Sequence, residues 1–368
     1  MKHRLIAINL PQFHPFKEND EWWGKGFTEW TNVTKAKPRF RGHYQPHLPT
    51  ETGFYDLRLP ESREMQANMA KEAGIYGFCY YHYWFNGHQL MELPLEKILE
   101  SGKPDFPFML CWANENWSRN WDGGFTKMLI EQKYSAKDDI DHMRFLCEHY
   151  FQDSRYIRVN NKPMFVVYKP FLIPNIENCV KRWREVAAEY GMELYLGYMT
   201  RSDEDYISKG FDCAIDFQPH SRPSLYDSKW KQLLHFRSSN FLFRVCYRFM
   251  PRERIPFNMN FHYSDYSRVM ALQTTSLDMK YPSVTPMWDN SSRRKGWFFM
   301  LKNSTPDLYK EWLRKTFMKF KPYSVDENFI FINAWNEWVE GNHLEPDIKW
   351  GRAYLDATKE VVDEFEGE

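Results

Sequence analysis

Eight short runs of apolar, β-branched or aromatic residues recur along the 368-residue chain, and nearly all of them stop at polar residues. They are Leu5 to Leu10, Ile75 to Tyr81, Phe106 to Trp112, Met164 to Tyr168, Leu194 to Met199, Cys213 to Phe217, Val284 to Trp288 and Phe329 to Trp335. Strands buried on both faces need runs of this kind. Helix-periodic segments lie between them, among them Glu61 to Ala73 before Gly74, Lys137 to Phe151, Ile176 to Tyr190 before Gly191, Pro306 to Phe320 and Gly351 to Phe365. Strand and helix alternating eight times predict an α/β fold whose parallel sheet closes into a (β/α)8 TIM barrel, one domain over residues 1–368. An open doubly wound sheet is the competing arrangement, but no GxGxxG follows an early strand.

In such a barrel the C-terminal strand ends gather at one mouth, with long loops around it. The polar residues that end the runs are therefore the candidates for ligand contact: Gln12 and His14, His82 and Trp84, Asn114, Glu115 and Trp117, His220, then Trp288 and Asp289. The long connection from Pro11 to Pro60 adds Glu29 and Trp30, because loops of that length inside a compact domain are usually functional. The last run ends in Trp335-Asn336-Glu337-Trp338-Val339-Glu340-Gly341. Two carboxyls three residues apart, framed by indole rings, suit glycosidic-bond chemistry. One group donates a proton to the leaving oxygen, the other acts as base or nucleophile, and flat apolar faces hold the sugar. An isolated Glu-x-x-Glu is more often a solvated surface turn; the density of Trp and Asn around this one is what argues otherwise. Glu337 and Glu340 are the catalytic candidates, with Asn336 and Trp338 beside them as substrate contacts. Glu29, His82, Glu115, Asp289, Glu337 and Glu340 are expected to line one cavity. At least two of Trp30, Trp84, Trp117, Trp288 and Trp338 are expected to face it.

Lys plus Arg and Asp plus Glu each number 49, so overall charge points to neither nucleic acid nor membrane as a partner. One segment departs from that balance. Residues 229–254, within an insertion over about 221–280, hold seven Lys or Arg against Glu253, interleaved with Leu and Phe. A helix packed on the barrel with a solvated basic face explains it; contact with an anionic membrane surface or glycan is the alternative. The six cysteines lack CxxC spacing and read as buried thiols. No HxH or HExxH is present, so no metal or cofactor is expected. Asp139-Ile140-Asp141 has the DxD form of nucleotide-sugar transferases, but it opens a helical pattern where acids favour the dipole. The apolar run after Met1 is too short for a signal peptide and no stretch approaches a membrane span, which gives a cytoplasmic expectation.

At Asn336-Glu337-Trp338-Val339-Glu340-Gly341-Asn342-His343-Leu344-Glu345-Pro346 the chain resembles the terminal-strand motif of glycoside hydrolase family 99, the endo-α-mannosidases. Asn9-Leu10-Pro11-Gln12-Phe13-His14, Gly26-Phe27-Thr28-Glu29-Trp30 and Trp112-Ala113-Asn114-Glu115-Asn116-Trp117 resemble WbsX-type proteins, which are often encoded among surface-polysaccharide genes and labelled glycosyltransferases. The resemblance runs from Leu5 to about Tyr354. It implies a (β/α)8 barrel without a metal and a retaining mechanism. In that mechanism Glu337 draws the proton from the sugar 2-hydroxyl, whose oxygen attacks the anomeric carbon, while Glu340 serves as acid and then base. Val339 stands where family 99 has histidine, a departure that leaves mannan specificity open although both glutamates match. A conventional pairing of Glu115 with Glu337 stays open. So do transfer to a sugar acceptor in lipopolysaccharide O-antigen synthesis and a non-catalytic glycan-binding barrel.

Overall fold

The computed structural model describes residues 3–118, 128–219, 259–294 and 298–366. Its main sheet follows a path of nine parallel strand segments that closes almost completely on itself. In chain order these are β1 (Arg4–Asn9), β2 (Gly77–Phe85), β3 (Phe108–Trp112), β4 (Lys162–Val167), β5 (Tyr195–Thr200), β6 (Cys213–Asp216), β7 (Lys280–Tyr281), β8 (Ser283–Val284) and β9 (Phe329–Ile332). The path runs from β7 through β6, β5, β4, β3, β2, β1 and β9 to β8. Pro282 cannot donate to a ladder, and it divides one stave into β7, which pairs with β6, and β8, which pairs with β9. Eight staves therefore carry nine segments, as a (β/α)8 barrel requires.

The staves form because their residues are apolar on both faces. In β1, Leu5 to Asn9 are all buried, and β9 is buried throughout. One wall rests against the outer helices, including Pro60–Glu72, Ala136–His149, Ile176–Glu189, Pro306–Lys319 and Ala353–Glu366. At Gly77 the backbone of the next strand comes so near that a Cβ would stand 2.7 Å from the Pro107 carbonyl oxygen. A side chain there would push β2 off β3.

Two boundaries differ from expectation in ways that matter. The seventh run was expected to continue to Trp288, but the parallel strand ends at Val284. Trp288–Asp289 instead pairs antiparallel with Phe299–Lys302 in a small sheet over the barrel mouth. Strand β2 does not stop at Tyr81 but extends to Phe85, where it turns back into His88–Leu90. Of the expected insertion, residues 221–258 lie outside the described residues, as do His220 and the basic stretch 229–254; the remainder holds the strand Met259–His262 and the helix Tyr263–Leu272. Cys79, Cys111, Cys147, Cys179 and Cys213 are buried free thiols. No helix among the described residues is long and apolar enough to cross a membrane.

Candidate functional site

A cavity of about 430 Å³ opens at the C-terminal strand ends. Its wall includes Leu10 and Gln12 after β1, Tyr81 and Tyr83 of β2, Ala113, Glu115 and Trp117 after β3, Arg201 after β5, and Trp288, Arg293, Glu337 and Glu340. The two glutamates reach it through local geometry. Asn336–Glu337 pairs antiparallel with Asn342–His343, and Trp338–Glu340 forms a 3₁₀ turn between them. Residues three apart eclipse in that geometry, so both carboxyls fall on one side. Gly341 closes the turn at φ +52°, and a Cβ there would sit 3.0 Å from the Asp289 carbonyl oxygen. Glycine therefore lets the hairpin press against the loop after β8, which Ser292 fastens by donating its hydroxyl to the Val339 carbonyl.

That loop carries Arg293, whose guanidinium is the cation paired with the glutamates. Nη1 lies 2.8 Å from Glu340 Oε1, while Nη2 lies 3.7 Å from Glu337 Oε2 and 3.8 Å from Glu29 Oε2. One guanidinium thus serves three carboxyls, two of them buried. Burial pushes the Glu337 carboxyl up to about 8, with the Glu340 charge adding to the effect and Arg293 opposing it. Burial likewise raises Glu29 to about 7. Among the described residues, neither Glu29 oxygen nor the Glu337 Oε2 has a hydrogen-bond partner. Buried oxygens left without donors beside a cavity are the signature of a site built for something else to complete.

The residues expected to share one cavity divide. Gln12, Glu115, Trp117, Trp288, Glu337 and Glu340 line it, so two of the five tryptophans do. Glu29 stands behind Arg293, fully buried. The expectation of one common cavity does not extend to Glu29, His82 and Asp289. His82 faces the outer helix Ala136–His149, where its Nε2 meets Nε2 of His142 at 2.9 Å. Next to it Trp84 donates its indole N–H to Asp138 at 2.9 Å and stacks on His142. Asp289 accepts hydrogen bonds from Gln45 at 2.8 Å and the Ser291 backbone at 3.0 Å, and pairs with His43 at 2.6 Å. The rest hold loops together. His14 bonds the Pro11 carbonyl through Nδ1 at 3.0 Å. Trp30 donates to Tyr55 O at 2.8 Å, and Asn114 to Lys169 O at 2.8 Å. Asn336 accepts from the Leu10 amide at 2.7 Å, clamping β1 to the hairpin. Trp338 lies stacked on His343 with its indole N–H on Glu345 at 2.6 Å.

Arg293, Tyr81, Tyr83 and Glu345 were not among the candidates. Glu345 accepts from Tyr55 at 2.9 Å, Gln66 at 2.7 Å, Trp335 at 3.0 Å and Trp338 at 2.6 Å, so it organises the motif from behind. One cluster among the described residues could take a metal ion: donor atoms of His47, His343 and Asp347 lie within 4.8 Å of one another. Its groups are already engaged. The His343 Nδ1–H donates to Glu345 O at 2.9 Å, the two rings meet at 3.0 Å, and Asp347 accepts from Tyr44 at 3.0 Å. Asp139 and Asp141 are taken up by Arg182 and Lys137 on the outer helices.

A (β/α)8 barrel with paired glutamates, a buried arginine and aromatic rings at its C-terminal mouth is the class that fold and cavity define. The family model described as "Glycosyltransferase WbsX" matches residues 5–358, and the chain belongs to that family. It is 39% identical over 363 residues to "Uncharacterized protein WxcX" of Xanthomonas campestris pv. campestris (strain B100), covering 97% of this chain and 49% of that protein. The protein of that name from strain ATCC 33913 matches to the same extent. The chain thus spans about half the length of the curated relatives it matches. Among solved structures, a "Glycoside hydrolase-like protein" superposes with a TM-score of 0.60 at 14% identity, covering 98% of this chain and 94% of that one. The GH99 endo-α-mannosidase of Bacteroides thetaiotaomicron superposes with a TM-score of 0.56 at 14% identity, covering 99% and 98%. At that identity the likeness shows a shared fold.

Proposed function

We propose that this protein is a glycoside-hydrolase-like enzyme acting on a surface-type polysaccharide, with Glu337 and Glu340 as its working pair. The observation that carries the reading is the placement of both carboxyls on the cavity wall around one buried guanidinium. Following the resemblance, Glu337 takes the proton of the sugar 2-hydroxyl, and the freed oxygen bonds to the anomeric carbon. The glycosidic bond breaks as Glu340 protonates the leaving oxygen. Glu340 then takes a proton from water, whose oxygen bonds to the anomeric carbon, and Glu337 returns its proton to the 2-oxygen. Configuration is retained because the anomeric centre is displaced twice. Arg293 supports both steps by balancing the negative charge that passes between the two carboxyls.

This order needs Glu337 ionised at the start, yet burial holds its proton on up to about pH 8. The same step needs a proton on Glu340, so alkaline pH alone does not prepare the site, and substrate entry has to shift the proton off Glu337. A sugar acceptor in place of water would make the same chemistry a transfer, which is the reading favoured by the family's description as a glycosyltransferase.

The test is incubation with bacterial surface polysaccharides in ¹⁸O-labelled water, followed by mass spectrometry of the products. Hydrolysis places the label at the new reducing end; transfer gives unlabelled, rearranged chains. Absence of either product across the polysaccharides would remove the enzymatic reading and leave a glycan-binding barrel. An aryl glycoside sharpens the assignment of roles, since an activated leaving group needs little protonation. Glu340→Gln should recover partly on it and Glu337→Gln should not, and a 2-deoxy substrate should not react. Ordinary turnover of the 2-deoxy substrate would bring Glu115 forward as half of a conventional pair with Glu337.

A further inference from the structure

Among the described residues, the cavity wall carries two cations that its carboxylates leave unpaired. Glu337 and Glu340 share Arg293. Glu115, the remaining carboxylate among the described wall residues, turns away to the ammonium of Lys169. Arg201 and Arg294 also line the cavity, and neither forms an ion pair with any described residue. Their positions are not accidental consequences of a charged outer face. Arg201 directly follows β5, in a turn held by the Thr200 hydroxyl donating to Ser202 O at 2.8 Å. Its guanidinium lies over the Phe217 ring, 4.8 Å from the centroid, so it bridges the ends of two neighbouring staves. Arg294 follows Arg293 on the cavity loop, and its carbonyl accepts from Arg39 Nη2 at 2.5 Å.

We infer that the glycan bound in this cavity is acidic, with a sugar whose carboxylate or phosphate group is held by Arg201 and Arg294. The inference rests on the reading of the cavity as a glycan site and names its substrate class. A guanidinium matches both oxyanions through paired N–H donors. A solitary arginine on a convex face is ordinarily just solvated. Two on a concave wall, next to Tyr168, Phe217 and Trp288, would lose water when a sugar fills the space, and only an oxyanion replaces that hydration fully. A neutral hexose offers hydroxyls alone. The proton that burial keeps on Glu337 at neutral pH removes one negative charge from the wall, which an anionic sugar replaces.

The test uses the Glu337→Gln protein, so that binding is read without turnover. Its ligands are hyaluronan, polygalacturonate and alginate oligosaccharides, each against its carboxyl-reduced neutral counterpart, and a phosphomannan against its dephosphorylated form. At least one acidic member should bind about tenfold or more tightly than its neutral partner, as expected for hydrogen bonds to a charged group. The advantage should shrink as salt is raised and vanish when Arg201→Gln and Arg294→Gln are added. The uronate and phosphate arms tell which oxyanion is bound. Equal binding of every acidic and neutral pair, or a preference that survives the two arginine substitutions, overturns the inference. The two levels fail separately. Cleavage of neutral glycans that depends on Glu337 but ignores charge would remove the acidic specificity and leave the enzyme. Arginine-dependent binding of acidic glycans without any Glu337-dependent product would keep the anion site and remove the catalytic reading.

Discussion

The same hairpin holds two buried acid sites built on opposite plans. Behind the cavity, Glu345 is surrounded by neutral donors, the tyrosine, amide and indole groups of Tyr55, Gln66, Trp335 and Trp338. On the cavity side, among the described residues, Glu29, Glu337 and Glu340 have one cation among them, and oxygens of Glu29 and Glu337 lack donors. Burial raises the carboxyl in both places, to about 7 for Glu345 and about 8 for Glu337. A raised carboxyl is thus not by itself a mark of function. What separates the sites is whether the hydrogen-bonding capacity is used up: the first site is complete without a ligand, and the second is not.

Substitutions should expose that difference. The largest effect belongs to Glu337→Gln and Glu340→Gln, each lowering the rate by ~10²–10⁴-fold, the usual cost of losing acid or base assistance, with little change in melting temperature. Kinetics and thermal unfolding on one sample check both halves. Arg293→Met comes next, since it leaves a desolvated carboxyl cluster without its cation. A loss of about 3–5 kcal/mol in denaturant unfolding is expected above pH 8, smaller below pH 7 where Glu29 and Glu337 hold protons. Glu345→Gln should invert the first result. It presents an amide N–H to a ring of donors and costs about 1–3 kcal/mol, while the folded fraction keeps its turnover number. A further check is the pH dependence of the unmodified protein, which is spread over several units instead of being lost at one substitution. The folded carboxyls of Glu29, Glu337 and Glu345 sit at about 7, about 8 and about 7 against an ordinary 4.5. Between those values the folded chain holds more protons than the unfolded one, so stability falls as pH rises through that window. Melting temperature measured from pH 4.5 to 8 should decline, and Glu337→Gln should flatten part of the slope.

The barrel was legible because each stave is an apolar run and each run ends in polar residues. What failed was parity within a strand. In β2 the residues alternate, so choosing His82 and Trp84 selected the face toward the helix Ala136–His149, while Tyr81 and Tyr83, one residue away, face the cavity. The apolar run in the sequence ends at Tyr81, and only the extension of the strand to Phe85 places Tyr83 on the wall. A count of register from Gly77 could have found the pair. Arg293 left a weaker signal. It lies in a Ser-Ser-Arg-Arg stretch after an apolar run, and nothing in that stretch announces that one arginine goes inward and the next lines the rim. The pairing is set by a contact 47 residues away in the chain, between Arg293 and Glu340, which no local pattern encodes. Asp289 looked like a strand-end ligand, but His43 and Gln45 of the long first loop claim it.

The most direct measurement compares the unmodified protein with Glu337→Gln and Glu345→Gln on one bacterial surface polysaccharide, reading cleavage or transfer products by mass spectrometry and bound glycan by calorimetry. The account predicts products from the unmodified protein and from Glu345→Gln, and binding without products from Glu337→Gln. Equal product formation by Glu337→Gln and the unmodified protein would contradict it.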